Sequence, residues 1–332
     1  MRIFVFEYVT GGGCYNDAMV ADLAVEGDLM LNAVVRDLLD IHGVEVLVCR
    51  DRRLQMPQLP IEVHWVEGDW QMGWAHCLAQ ADAVLPIAPE SDNVLESLCH
   101  DVEWARKPLL NSTAGAVAIA ADKQRTLDLL GRCGVPVVPS WRADGVSSVD
   151  TPILVVKPNK GVGCRGIHLL TDGRALGEFI DSQSEPSQWL VQPYLEGQAA
   201  SLSLLVDEHC VCLLGCNVQR VAQVDDGFVL LGCVVNGLNE SRELLGQLGE
   251  QVCRAIPGLW GYVGVDLVMT DRGPVVLEVN PRLTTSYAGI RRSTGWNVAE
   301  LLIHMLNTTS TLPLPLVGAQ SIHVDLELGR VA

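Results

Sequence analysis

The sequence has no apolar run approaching the roughly 20 residues that a helix needs to cross a bilayer, so no membrane span is expected. Its first residues, Met1-Arg2-Ile3-Phe4-Val5-Phe6-Glu7, carry too short an apolar stretch for a secretory signal and read as a first buried strand. Positive charge is scarce. Against 40 aspartates and glutamates stand 23 lysines and arginines, a formal net charge of −17. That balance argues against a nucleic-acid or anionic-membrane partner. Internal repeats and low-complexity linkers are lacking as well. The cysteines number eleven, an odd count, and most sit in apolar neighbourhoods such as Val48-Cys49 and Leu98-Cys99. Free thiols in a reducing compartment behave as small buried hydrophobes. Cys210, Cys212 and Cys216 lack the spacing of a zinc pair, and an alternating strand would put them on one packed face. The expectation is a soluble cytoplasmic protein. At 332 residues and 48% apolar it can build two or three packed subdomains.

Residues 1 to about 110 alternate strand and helix, with strands at 3–8, 44–48 and 83–87 and a helix at 29–42. The alternation predicts an open, largely parallel sheet. Gly11-Gly12-Gly13 follows the first strand, where a ligand crevice would lie. The third glycine of a dinucleotide fingerprint is missing, because Asn16 holds its place, and this excludes a Rossmann NAD site. Further on, Asn111-Ser112-Thr113 offers a cap for a helix running to about residue 133, which carries Asp122-Lys123-Gln124-Arg125-Thr126. A hairpin is predicted from 153–158 and 166–170. Helices are predicted at 173–183, 241–256 and 298–306, and strands at 189–195, 201–206 and 211–220.

The chemistry concentrates in a second hairpin, 264–269 and 276–282, joined by Asp271-Arg272-Gly273. If those three residues form the loop, Asp266 stands opposite Glu278, and Asn280 shares the face of Glu278. Three converging oxygen donors suit Mg²⁺ that is also held by substrate phosphates. Lys157 ends an apolar strand. The loop after it, Asn159-Lys160-Gly161-Val162-Gly163-Cys164-Arg165-Gly166, offers backbone amides and positive charge to a phosphate, although an ordinary hairpin loop would look similar. Lys123 taken alone reads as a solvated surface lysine. The segment Trp189 to Gly197 could pair with an adenine edge, Gln192 adding a side-chain contact, or could simply connect subdomains. Ser201 and Ser203 share one face and could meet a ribose. Arg282 lies beside the oxygen donors and could stabilise charge on a phosphoryl group. Arg291 and Arg292 could grip a substrate carboxylate or mark an exposed helix start.

In their order along the chain, these pieces resemble the ATP-grasp superfamily. The carriers are Asp122-Lys123 with Thr126, Val156-Lys157-Pro158 with its Gly-rich loop, Val191-Gln192-Pro193-Tyr194-Leu195-Glu196-Gly197, Asp266, and Glu278-Val279-Asn280-Pro281-Arg282. The likeness covers about residues 110 to 307. It implies an ATP-grasp fold of mixed α/β and α+β class, preceded by an open parallel-sheet pre-ATP-grasp domain. The divisions would be 1–110, 111–190 with the Gly-rich lid, and 191–332 with the metal site. It also implies that Lys123 and Lys157 contact the ATP phosphates and that Gly161, Gly163, Cys164 and Gly166 close over them. Gln192, Tyr194 and Leu195 would hold adenine, with Ser201 at the ribose. Asp266, Glu278 and Asn280 would bind Mg²⁺, or Mn²⁺ in its place, and Lys157 and Arg282 would serve catalysis. Many members have Glu where Gln192 stands, and a ribose-binding Glu near Ala199 is absent.

Val5-Phe6-Glu7-Tyr8, the glycine triplet, Glu26-Gly27-Asp28-Leu29-Met30-Leu31 and Asn280 to Tyr287 are similar to the tyramine–L-glutamate ligases of methanofuran biosynthesis. That likeness implies an ATP-dependent ligase joining the γ-carboxylate of L-glutamate to tyramine, tyrosine or a glutamyl chain. Gly12, Gly13, Ser286 and Arg291 would then lie at the substrates, and homodimers are common among similar proteins. Two other readings are a ligase for other amino acids or peptides, and a nucleotide-binding regulatory module without turnover.

Overall fold

The structure, a computed structural model, describes residues 1–15, 21–146, 151–161, 163–164, 166–171, 173–307, 319–327 and 329–331. Asn16, Val162 and Arg165, singled out above, lie outside the described residues. Strand β1 (Arg2–Glu7) is buried from Ile3 onward, as an apolar run covered on both faces must be. It lies between β2 (Glu45–Asp51) and β4 (Ala83–Ile87), and β3 (Glu62–Val66) completes a parallel sheet of order β3-β2-β1-β4. Helix α1 (Ala21–Leu39) covers one face through Val34, Val35 and Leu38. Helices α2 (Trp70–Gln80) and α3 (Val94–Trp104) cover the other through Trp74, Leu95 and Leu98. The expected open parallel sheet is present, with β3, α2 and α3 added to what the sequence pattern announced. A tight turn, Val9–Gly13, follows β1.

The single helix expected from residue 111 to 133 is two. Helix α4 (Ala114–Ala121) stops at Asp122, whose backbone is extended, and α5 (Lys123–Arg132) starts there with the Asp122 side chain accepting from Arg125 N at 3.0 Å. Aspartate prefers such a cap to a helix interior, so the break sets Lys123 on the first turn of a new helix.

Next comes a small antiparallel sheet of order β5-β8-β6-β7, formed by β5 (Trp141–Arg142), β6 (Leu154–Pro158), β7 (His168–Leu170) and β8 (Trp189–Pro193). Helix α6 (Gly173–Ser182) packs on it through Leu176. β8 pairs with β6 along its whole length, so the division drawn at residue 190 runs through one strand.

The large sheet has the order β13-β12-β9-β10-β11-β14-β15. Its strands are β9 (Gln198–Val206), β10 (Val211–Val224), β11 (Gly227–Val235), β12 (Gly261–Thr270), β13 (Gly273–Asn280), β14 (Ile322–Asp325) and β15 (Arg330–Val331). Helix α7 (Arg242–Ala255) buries Leu245, Leu248 and Val252 against Leu202, Leu204 and Val265 on one face. On the other face, Leu205 and Tyr262 share a core with α1, α8 (Tyr287–Thr294) and α9 (Val298–Asn307). A bulge at Leu214 corrects the cysteine expectation. Cys212 pairs with Leu205 but Cys216 pairs with Leu202, so the two thiols point to opposite faces. One extra residue reverses the alternation. Among the described residues no helix is long and apolar enough to cross a membrane.

Candidate active site

Asp266 on β12 stands opposite Glu278 on β13, as the hairpin predicts, by a different route. Thr270 pairs with Gly273, so the loop is the two residues Asp271-Arg272, not three. Gly273 supplies the positive φ, +118°, that the tight turn requires. A regular ladder from that turn would set Asp266 against Leu277. A bulge at Leu277, between the pairs Leu267–Val276 and Asp266–Glu278, advances β13 by one residue and restores the carboxylate pair.

Asn280 Nδ2 donates to Asp266 Oδ2 at 3.0 Å, and Gln219 Nε2 donates to Asp266 Oδ1 at 2.8 Å. Burial, then the neighbouring charge of Glu278, raises Asp266 above the usual carboxylate range. Glu278 is pulled the other way. Burial opposes its ionisation, but Lys123 and Lys157 hold it below its usual value. Lys123 Nζ lies 3.3 Å from Glu278 Oε2 and also donates to the carbonyl of Gly161 in the Gly-rich loop. Lys157, buried at the end of β6, is pushed down to about 8 by desolvation, with Lys123 adding to the effect and Glu278 opposing it. Two buried lysines and two crowded carboxylates therefore share one pocket. A polyanion would relieve the lysines and a divalent cation the carboxylates. With one amide oxygen as its third protein donor, such a site fits a Mg²⁺ held mainly by phosphates and water.

Two residues of the Gly-rich loop, Gly161 and Cys164, come near these charges. Cys164 is pushed up to about 11, first by burial and then by the charges of Glu278 and Asp266, with Glu26 adding to them. Asn159 anchors the loop base, its Oδ1 accepting from Gln124 N at 2.9 Å. Gln192 is buried and donates through Nε2 to Ser140 Oγ at 2.8 Å, so its amide nitrogen is engaged by protein. Tyr194 is exposed and lies parallel to Phe228, ring centroids 6.5 Å apart, and Leu195 is half-buried. Ser201 pairs with Asp266 across β9 and β12 and accepts from Asn217 Nδ2 at 3.3 Å. Glu278, Asp266, Ser201 and Asn217 thus form one row across four strands.

Other sequence candidates have protein partners of their own. Ser203 and Ser286, 3.0 Å apart, belong to a buried web around Tyr262. Arg282 is held by Glu90, with Nε 3.0 Å from Oε1. Arg291 lies 3.0 Å from Asp37 on α1 and 2.7 Å from Asp40 just after that helix, while Arg292 donates to the Val331 carbonyl at 2.7 Å. Gly12 and Gly13 lie in the turn after β1. Beside them the Glu7 carboxylate accepts from Val9 N at 3.2 Å and Thr10 N at 2.7 Å. Sequence reasoning did not single out Gln219 or Glu90, and it quoted Glu26, which accepts from Thr285 Oγ1, only within a motif and not as a site residue. Alternation along β10 from Asn217 could have found Gln219. No local pattern marks Glu90.

Residues 120–286 match the family model described as ATP-grasp domain, and residues 44–117 match that described as pre ATP-grasp 3 domain. The tyramine–L-glutamate ligase of Methanocaldococcus fervens is 28% identical over 315 residues, covering 92% of this chain and 94% of the relative. An ATP-grasp superfamily protein from Archaeoglobus fulgidus has the same fold, with a TM-score of 0.75 at 24% identity over 98% of this chain and 92% of that one. The biotin carboxylase domain of Hydrogenobacter thermophilus 2-oxoglutarate carboxylase, solved with MgADP, has a TM-score of 0.72 at 15% identity over 95% of this chain and 71% of that one.

Proposed function

Because the chain belongs to the ATP-grasp family, whose model spans half its length, we propose that it is an ATP-dependent carboxylate–amine ligase that joins L-glutamate to an amine through an acyl-phosphate. The relative named tyramine–L-glutamate ligase, matched along nearly the full length of both chains, supports glutamate as one substrate and an arylalkylamine such as tyramine as the other. The observation that carries the reading is Asp266 opposite Glu278, with Lys123 and Lys157 converging on the same carboxylate. A regulatory module would need phosphate contacts but not this oxygen-donor set. The eleven free thiols fit a cytoplasmic setting.

In this reading Lys123 and Lys157 hold the phosphates of ATP, and the Gly-rich loop excludes water from a product that water would hydrolyse. A carboxylate oxygen of glutamate, in this reading that of the γ-carboxylate, attacks the terminal phosphorus. The bond to the β-phosphate oxygen breaks and ADP leaves. The amine nitrogen then attacks the acyl carbon and loses a proton, and inorganic phosphate departs as the amide forms. Asp266, Glu278 and Asn280 are the residues that would hold Mg²⁺, which supplies neutralisation of phosphate charge. Arg282 supports the same charge from the side.

The test is ATP-dependent phosphate release with Mg²⁺ and L-glutamate, with and without tyramine or tyrosine, the products weighed by mass spectrometry. The expected product has the mass of glutamate plus amine minus water. Glu278→Ala should lower turnover by about 10³-fold. Retained turnover in that variant, or no release with either amine, would remove this reading.

A further inference from the structure

The structure assigns Glu90 as a positioning residue for Arg282, an inference that rests on the ligase reading. Glu90 follows β4 in the parallel-sheet domain and is 192 residues from Arg282 in sequence. Both side chains are nearly buried, 6% exposed for Glu90 and 14% for Arg282. Arg282 Nε lies 3.0 Å from Glu90 Oε1, Nη2 donates to Oε2 at 3.1 Å, and Nη1 donates to the Leu283 carbonyl at 3.1 Å.

A guanidinium carries five N–H groups in a fixed plane. Glu90 faces the edge formed by Nε and Nη2, hydrogen-bonded through Nη2 and in ionic contact at Nε, and Leu283 takes one hydrogen of Nη1. One hydrogen on each terminal nitrogen has no partner among the described residues, so the opposite edge is the one left for an incoming anion. Arg282 follows Asn280, the last residue of β13, by two residues, which sets it beside the proposed metal ligands. A buried guanidinium without a counter-charge would turn toward another carboxylate or leave the pocket, and Glu26 and Glu278 are the other carboxylates whose charge reaches it. Glu90 removes that alternative and fixes the plane of the fork. Since it comes from the other domain, the phosphoryl-transfer centre is complete only when the parallel-sheet domain is docked.

The test compares Glu90→Gln, Glu90→Asp, Arg282→Lys and the double variant Glu90→Gln/Arg282→Lys, using the full chain. Glutamine keeps the shape and loses the charge. Aspartate keeps the charge and withdraws it by one methylene. Steady-state rates are read beside the dissociation constant for MgADP and the thermal midpoint. If Glu90 positions Arg282, each Glu90 variant that folds loses about 10- to 100-fold in kcat, with MgADP affinity within about twofold of the parent. The double variant should then be no worse than Arg282→Lys alone. Unchanged kcat in a folded Glu90 variant, or losses that simply add in the double variant, would overturn the assignment. So would losses matched by an equal loss of MgADP binding. Should Glu90→Gln not fold, Glu90→Asp decides by the same criteria. A parent protein that binds MgADP but releases no phosphate would instead overturn the ligase reading, separately from this one.

Discussion

Glu7 carries a charge that the fold makes expensive. Its carboxylate is buried and accepts from the backbone amides of Val9 and Thr10, and desolvation pushes it up to about 7 from an ordinary 4.5, with the Thr10 side chain opposing the rise and Asp28 adding to it. Gly27 of α1 packs directly on it, since a Cβ there would stand 2.5 Å from Oε2. An acid whose folded value is raised stabilises the fold most below its unfolded value. That contribution falls as pH rises from about 4.5 to about 7. The shift corresponds to about 3 kcal/mol. Urea unfolding of the parent should therefore show stability falling across that interval, and Glu7→Gln should flatten the profile. A profile equally steep in the variant would assign the loss to other groups. At the reacting centre, Lys157→Ala should lower kcat/KM for ATP about 100-fold in a phosphate-release assay, because it removes a buried charge from the phosphate pocket. Both residues were legible as types in the sequence. Their altered acidities were not, because burial is a property of what packs around a side chain.

At the scale of elements, the large sheet is tied to the turn after β13 through hydroxyl groups. Tyr262 OH on β12 donates to Ser203 Oγ on β9 at 2.8 Å and lies 3.0 Å from Ser286 Oγ and 3.2 Å from Thr284 Oγ1. Tyr262→Phe leaves those hydroxyls short of a partner inside the core. It should cost about 1–3 kcal/mol, measured as a lower urea midpoint with an unchanged slope. Most elements could be read from periodicity, including β4, β9 and the helices α6, α7 and α9. Three of the errors have a common cause. The helix break at Asp122, the bulge at Leu214 and the bulge at Leu277 each insert a single irregular residue into a regular pattern. A period of 2 or 3.6 says where a pattern holds and is silent about where one residue is added.

Across the whole molecule, α8 is clasped to α1. Tyr287 OH donates to Asp37 Oδ2 at 2.8 Å, Arg291 Nη1 donates to Oδ1 at 3.0 Å, and Asn297 Nδ2 donates to the Asp37 carbonyl at 2.7 Å. Asp37→Ala strands the buried Tyr287 hydroxyl, while Arg291 keeps Asp40, so it should lower global stability by about 1–3 kcal/mol in urea denaturation. A loss of only a few tenths would mean that the shared apolar core alone joins the domains. The sequence by itself determined the parallel sheet, the hairpin that sets Asp266 opposite Glu278 and the order of the ATP-grasp motifs, because each is written in local spacing and side-chain chemistry. The tertiary structure alone decided that Lys123 meets Glu278, that Glu90 holds Arg282 and that Arg291 serves α1. Those partners lie far apart along the chain, and only packing, which excludes water and leaves each buried charge in need of an opposite one, brings them together.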